Sequence, residues 1–332
     1  MKVIKSFGPG DLRVTETGMP EPDPGQVRIK VRASGICGSD KWLWQSGKSD
    51  TVAGHEVAGE VDKLGANVTS LQLGDPVMIN NVGGCGECLA CRAGAFVECP
   101  QRDGSDVNNG FGEYVTAPAR NCIRLLPGLD FIDGALIMDN WGTPYAAIQR
   151  AGVKPGTDLL VTGCGPIGQA AVALSRAYGA YVIAADPIAW RREKALENGA
   201  NAVFAPEDLP DAVKGLTNGL GVHVVLECSG NGEAYKPALD SLRINGSMVC
   251  IGEGAEFMLK PSEHTIHRGL NILSSWYSTL PQAAELMQLA LQKRIKPQTF
   301  VSHKISIEQL PGIYESIVNC DEDMLKCVIV FE

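Results

Sequence analysis

The stretch DLLVTGCGPIGQAAVALSRAYGAYVIAAD, residues 158–186, sets the architecture of the chain. An apolar run at 159–161 leads into a turn that contains Gly163, Gly165 and Gly168. A helical pattern follows, with Ile167, Ala171, Leu174 and Tyr178 on one face, and a second apolar run at 181–185 ends in Asp186. Strand, glycine turn, helix, and a strand closed by an acid is the arrangement that binds a dinucleotide. Gly163 permits the tight turn, Gly165 lets the backbone approach a pyrophosphate, and Gly168 lets helix and strand pack closely. The helix N-terminus, which opens at Pro166 and Ile167, offers a positive dipole end to the phosphates and unpaired N–H groups from Ile167 onward, since Pro166 has none. Asp186 can accept hydrogen bonds from both ribose hydroxyls, which favours NAD and repels a 2′-phosphate. Without a ligand, the same stretch would be an ordinary βαβ unit.

Outward from this unit the texture is uneven. Toward the C-terminus, strands and helices alternate: a helix at 189–198, a strand at 202–205, a helix at 209–217, and buried apolar runs at 222–228 and 247–252. Near Ser275 the pattern changes to amphipathic helices at 281–294 and 307–319, the second with Leu310, Ile313, Tyr314 and Ile317 on one face, and a final strand at 327–331. Toward the N-terminus, residues 1–35 and short segments at 27–31, 56–64, 76–80 and 114–118 read as strands between glycine and proline turns. The expected fold class is α/β, with a doubly wound parallel sheet between the changes of texture near Trp141 and Ser275 and a mainly β region before it. Length is ample, since 332 residues can bury two cores. A net charge of −9 argues against nucleic acid as a partner, and no apolar run is long enough to span a bilayer. A cytoplasmic location is the expectation.

Eleven cysteines in such a chain point to thiols or metal ligands rather than disulfides. Four of them, Cys85, Cys88, Cys91 and Cys99, are spaced C-x2-C-x2-C-x7-C. Short loops of this kind let four thiolates converge on one soft divalent ion, with no position left for substrate. A structural zinc is the expectation, and an iron–sulfur cluster is the alternative.

Three further pieces carry ligand chemistry: GICGSD at 35–40, GHEVAGEV at 54–61, and Asp139. With the four-cysteine loop, GCGPIG and VVLECSG at 224–230, they resemble the zinc-dependent medium-chain alcohol and polyol dehydrogenases over nearly the whole chain. The resemblance implies a Rossmann domain at 140–275, inserted in a mainly β GroES-like catalytic domain formed by 1–139 and 276–332. It implies a catalytic zinc held by Cys37 and His55, with Glu56 and Asp139 as carboxylates that could complete the set, and Asp40 orienting the His55 ring. Ser39 would pass the substrate proton toward the cofactor ribose; the relay histidine that many relatives carry is replaced here by Trp42. Arg191 would lie beside the adenosine ribose, Thr143 near the nicotinamide, and Lys326 on the pyrophosphate. Arg191 with Arg192 leaves NADP open beside NAD.

The function so implied is hydride transfer between NAD and a secondary alcohol of a polyol, sugar or cyclitol, with two zinc ions per chain. The preference for polyols comes from Glu56, Asp139 and the string Glu227-Cys228-Ser229-Gly230. The alternatives are a simple alcohol dehydrogenase and a non-catalytic nucleotide-binding protein of the same fold. By resemblance, a homodimer or homotetramer is expected.

Overall fold

The structure is a computed structural model that describes residues 1–45, 52–102, 104, 106–254, 256–321 and 323–332. Two compact units are present: Met1–Asp139 with Ser278–Glu332, and Asn140–Tyr277. No helix among the described residues is long and apolar enough to cross a membrane.

The first unit begins with a two-stranded antiparallel ribbon, β1 (Lys2–Gly8) and β2 (Asp11–Glu16). The long strand β3 (Gln26–Gly35) is its axis. Val27, Ile29, Val31 and Ala33 are buried while Arg28, Lys30 and Arg32 between them are not, so the period-2 pattern of the sequence becomes an inner and an outer face. β4 (Glu56–Leu64) pairs along its length, then β5 (Pro76–Ile79). β6 (Tyr114–Pro118) takes the first half of the other edge of β3, and β7 (Cys122–Arg124) pairs with β5.

The second unit holds six parallel strands: β8 (Asp158–Thr162), β9 (Tyr181–Ala185), β10 (Ala202–Phe204), β11 (Val222–Glu227), β12 (Leu242–Cys250) and β13 (Asn271–Ser274). Their order is β10-β9-β8-β11-β12-β13, so the direction of winding reverses between β8 and β11. That order is the doubly wound dinucleotide-binding sheet, which binds ligands at the C-terminal strand ends where the winding reverses. The run read as a strand from 247 begins earlier, at Leu242, and ends at Cys250; its register shifts between the pairs Val222↔Leu242 and Val224↔Ser247, with Asn245 at φ +62°. The helix read at 209–217 is shorter, Asp211–Leu216.

The chain then returns to the first unit. β14 (Val301–Ile305) pairs in parallel with β15 (Lys326–Val330), and β15 pairs antiparallel with the second half of β3. The helix Leu310–Asn319 lays Leu310 and Tyr314 into the same core as Ile29, Val31 and Ile329. Ile313 and Ile317 of its apolar face are only partly buried against that core.

Candidate metal centre and nucleotide pocket

At the end of β3 the chain turns through Cys37 into a 3-10 turn, Gly38–Asp40. The Asp40 carboxylate folds back, accepting the Cys37 N–H through Oδ2 at 3.0 Å. Its Oδ1 lies 3.2 Å from His55 Nδ1. The turn is pinned from below, where the buried Tyr314 hydroxyl donates to the Asp40 carbonyl at 2.9 Å and Trp44 stacks on the Tyr314 ring. Glu56 opens β4 opposite Gly35, and a Cβ on Gly35 would lie 2.1 Å from Glu56 Oε2. Only glycine makes room for that carboxylate. Asp139 sits on a π-helical turn, Ile137–Trp141, held by the Ser278 hydroxyl on the Met138 carbonyl at 2.7 Å. Its Oδ2 is 3.1 Å from His55 Nε2.

One ligand atom from each of Cys37, His55, Glu56 and Asp139 falls within 4.8 Å of the others. Thiolate, imidazole and carboxylate at this spacing suit a zinc ion. Glu56 Oε2 is buried and has no hydrogen-bond partner among the described residues, as a ligand oxygen should be. Burial pushes the His55 imidazole pKa down, but Asp40, Asp139 and Cys37 more than offset this and hold it well above the ordinary value. Asp40 and Asp139 thus favour positive charge between them, as a proton on the ring or as a metal cation. Ser39 is exposed on the turn between Cys37 and Asp40. Trp42 is 43% exposed.

Lys326 requires a correction. A pyrophosphate ligand must be accessible, yet Lys326 is 1% exposed at the start of β15. Its ammonium donates to Glu56 Oε1 at 2.6 Å and to the Ile36 carbonyl at 2.9 Å. Burial disfavours the charge, and Glu56, Cys37 and Asp139 more than compensate, so its pKa is raised. Lys326 is therefore a support of the metal centre: it occupies one oxygen of Glu56 and leaves the other facing the cluster. The sequence signal was slight, a lone lysine heading an apolar run.

The four-cysteine loop is a separate centre. Cys85 and Cys91 sulfurs are 3.9 Å apart and Cys88 and Cys99 sulfurs 3.8 Å. A tetrahedron of Zn–S bonds of ≈ 2.3 Å has an edge of about 3.8 Å, so the spacing fits one zinc and is too tight for a cage of several irons. Backbone N–H groups of Cys88, Cys91 and Gln101 point at the sulfurs of Cys85, Cys88 and Cys99. Those of Glu87 and Cys88 lower the Cys85 thiol pKa to about 6, toward the thiolate a metal needs.

In the second unit, Gly163 turns with φ +83°, and a Cβ on Gly168 would lie 1.8 Å from the Gly163 carbonyl. A Cβ on Gly165 would meet nothing within 4 Å, so the backbone there faces open space. Pro166 is the first residue of the helix Pro166–Ala177, with Ile167 half-buried behind it. A cavity of ≈ 600 Å³ is lined by Gly163, Gly165, Asp186, Arg191 and Ser229 among others. Open backbone at a helix start, beside a buried acid and a guanidinium, fits a dinucleotide. The Asp186 carboxylate also braces the turn, accepting from Cys164 N–H at 2.7 Å and Ile188 N–H at 2.8 Å. Arg191 and Arg192 diverge: Arg192 donates to the Asp186 and Pro187 carbonyls, whereas Arg191 lines the cavity. Thr143 is buried in the helix Gly142–Arg150, and its carbonyl accepts from Ser275 at 3.2 Å.

Known proteins show the same two parts. Residues 23–127 match the alcohol dehydrogenase GroES-like domain, and residues 166–292 match the zinc-binding dehydrogenase domain. Sorbitol dehydrogenase of Bos taurus is 31% identical over 93% of this chain and 90% of its own. L-threonine 3-dehydrogenase of Pyrococcus horikoshii is 35% identical over 76% and 74%. Among solved structures, an alcohol dehydrogenase (rspB) of Escherichia coli CFT073, complexed with NADH, superposes with a TM-score of 0.89. It is 25% identical and covers 100% of this chain and 99% of its own.

Proposed function

This chain belongs to the zinc-dependent medium-chain alcohol and polyol dehydrogenases, and from that membership we propose that it oxidises a secondary alcohol of a polyol, sugar or cyclitol with NAD. The observation that carries the reading is the meeting of Cys37, His55, Glu56 and Asp139 within 4.8 Å, with two carboxylates in the set. Cys37, His55 and one or both carboxylates would hold the catalytic zinc; Cys85, Cys88, Cys91 and Cys99 would hold the structural one. When bound, the metal supplies Lewis acidity to an alcohol oxygen and the nicotinamide accepts hydride.

The side chains supply position and charge. Asp40 fixes the His55 ring so that Nε2 faces the ligand cluster. Lys326 and Gly35 together set the Glu56 carboxylate. The exposed Ser39 hydroxyl takes the alcohol proton and hands it on to water or the cofactor ribose, since Trp42 cannot relay it. Asp186 accepts from the ribose hydroxyls and favours NAD, with Arg191 beside it.

The threonine dehydrogenase relative favours a second substrate class, the secondary alcohol of a hydroxy amino acid. A panel of polyols, sugars, cyclitols and threonine, followed by NADH absorbance, separates the two. Metal analysis should return about two zinc per chain. Cys37→Ser and His55→Ala should each lower turnover by roughly 10³ or more; full activity in either would sink the reading. A homodimer or homotetramer and a cytoplasmic location belong to the same proposal.

A further inference from the structure

Glu227 closes β11, and Cys228, Ser229 and Gly230 follow it as a turn. Glu227 is fully buried. Its Oε1 accepts from the Ser229 N–H at 2.9 Å and from the Ser229 hydroxyl, and its Oε2 accepts from the Gly230 N–H at 3.3 Å. Burial and the neighbouring Glu227 charge push the Tyr235 hydroxyl pKa up to about 12. Ser229 Oγ in turn accepts from the Asn231 N–H at 3.1 Å. The three groups bonded to the Glu227 carboxylate, the Ser229 N–H, the Ser229 hydroxyl and the Gly230 N–H, are all donors, and only a carboxylate is an acceptor on both oxygens.

The turn so organised is pressed between two glycine segments. A Cβ on Gly163 would lie 2.7 Å from the Ser229 backbone, and one on Gly252 would lie 2.2 Å from the Gly230 nitrogen. Cys228 N–H donates to the Thr162 carbonyl at 2.8 Å, tying the turn to the end of β8. On its other side the turn is cavity wall: Cys228, Ser229 and Asn231 line the same space as Gly163, Gly165 and Asp186. A buried charge is costly unless every lone pair has a donor, so this carboxylate fixes one geometry of the turn.

We propose that Glu227 is a positioning residue for the dinucleotide: its carboxylate holds the wall formed by Ser229 and Asn231 against Gly163, and thereby sets NADH affinity. The proposal assumes that the cavity is the NAD site. Glu227→Gln keeps the volume and sets an amide N–H against a donor whichever way the group is flipped. In the zinc-loaded E227Q enzyme, fluorescence titration should show the NADH dissociation constant rising about tenfold. KM for NAD should rise with it, while kcat at saturating NAD and the zinc content stay near wild type. Ser229→Ala removes one donor and the Asn231 acceptor and should weaken NADH about threefold. If E227Q does not fold, S229A decides: weaker NADH supports the proposal and unchanged affinity overturns it. A fall in kcat with wild-type NADH affinity also overturns it. A wild-type enzyme that binds no NADH overturns the dehydrogenase reading itself, whereas wild-type affinity in both variants overturns this proposal alone.

Discussion

Glu56 and Lys326 stand 270 residues apart in the chain and 2.6 Å apart in the fold, both fully buried. Removing one member of such a pair leaves a buried charge without its partner, at a cost of about 3–5 kcal/mol. Lys326→Met should lower unfolding stability in urea by that order, and the double variant K326M/E56Q should recover part of the loss. If the double variant is no more stable than the single one, the pair is not the reason Lys326 is buried. Asp139→Asn should weaken zinc retention on dialysis against a chelator, because the amide loses the charge that faces His55. At this scale the sequence spoke through strings rather than geometry. Cys37, His55 and Glu56 stood out only as members of GICGSD and GHEVAGEV, and nothing in either string says that Asp139 joins them. Lys326 was misread because its partner is fixed by strand pairing, which a lone lysine does not reveal. The divergence of Arg191 and Arg192 is likewise set by where the Asp186 and Pro187 carbonyls point.

The inner strands β8, β9 and β11 were legible because strands buried on both faces are written as unbroken apolar runs, whereas the edge strand β13, half-exposed, was not read from the sequence. The glycine turn was legible because its spacing is imposed by contact: no side chain fits at Gly168 against the Gly163 carbonyl. The excursion of β12 was not, since residues 242–246 lack that apolar character and are placed by Arg243. This guanidinium reaches across the N-terminal strand ends, donating to Asp158 Oδ2 at 2.8 Å and to the Gly221 carbonyl, and it lies against His223 Nε2. Asp158 N–H donates to His223 Nδ1 at 3.0 Å. Burial and the Arg243 charge, with Lys154 adding, hold the His223 pKa below its usual value, and Asp158 opposes them. Well above about pH 6.5 the ring is neutral in folded and unfolded chains alike, and its contribution is fully present. As pH falls, the unfolded chain takes up the proton first, so stability is lost through the folded pKa. His223→Gln should flatten the fall in unfolding free energy measured from about pH 8 to about pH 5. An unchanged slope would assign the acid sensitivity to other groups.

For the molecule as a whole, the two compact units predict two ligand-specific responses to heat. NADH at a hundred times its dissociation constant should stabilise the unit Asn140–Tyr277 by about 2.7 kcal/mol. Zinc removal should instead lower the transition of the unit that carries both metal centres. Calorimetry with each treatment alone checks this, and a single transition moved equally by both would show that the units melt as one. The inserted parallel sheet could be read along the sequence because it is continuous. The first unit could not be read in that way, since β15 lies beside β3 and so joins residues from opposite ends of the sequence. That pairing has a consequence for the nascent chain. Residues 140–277 can collapse as soon as they have been translated, but Glu56 waits for Lys326 and β3 for its neighbour. Until residues 326–330 have been made, the first sheet keeps an open edge and an acid without its counter-charge, a state in which a metal ion or a chaperone could stand in.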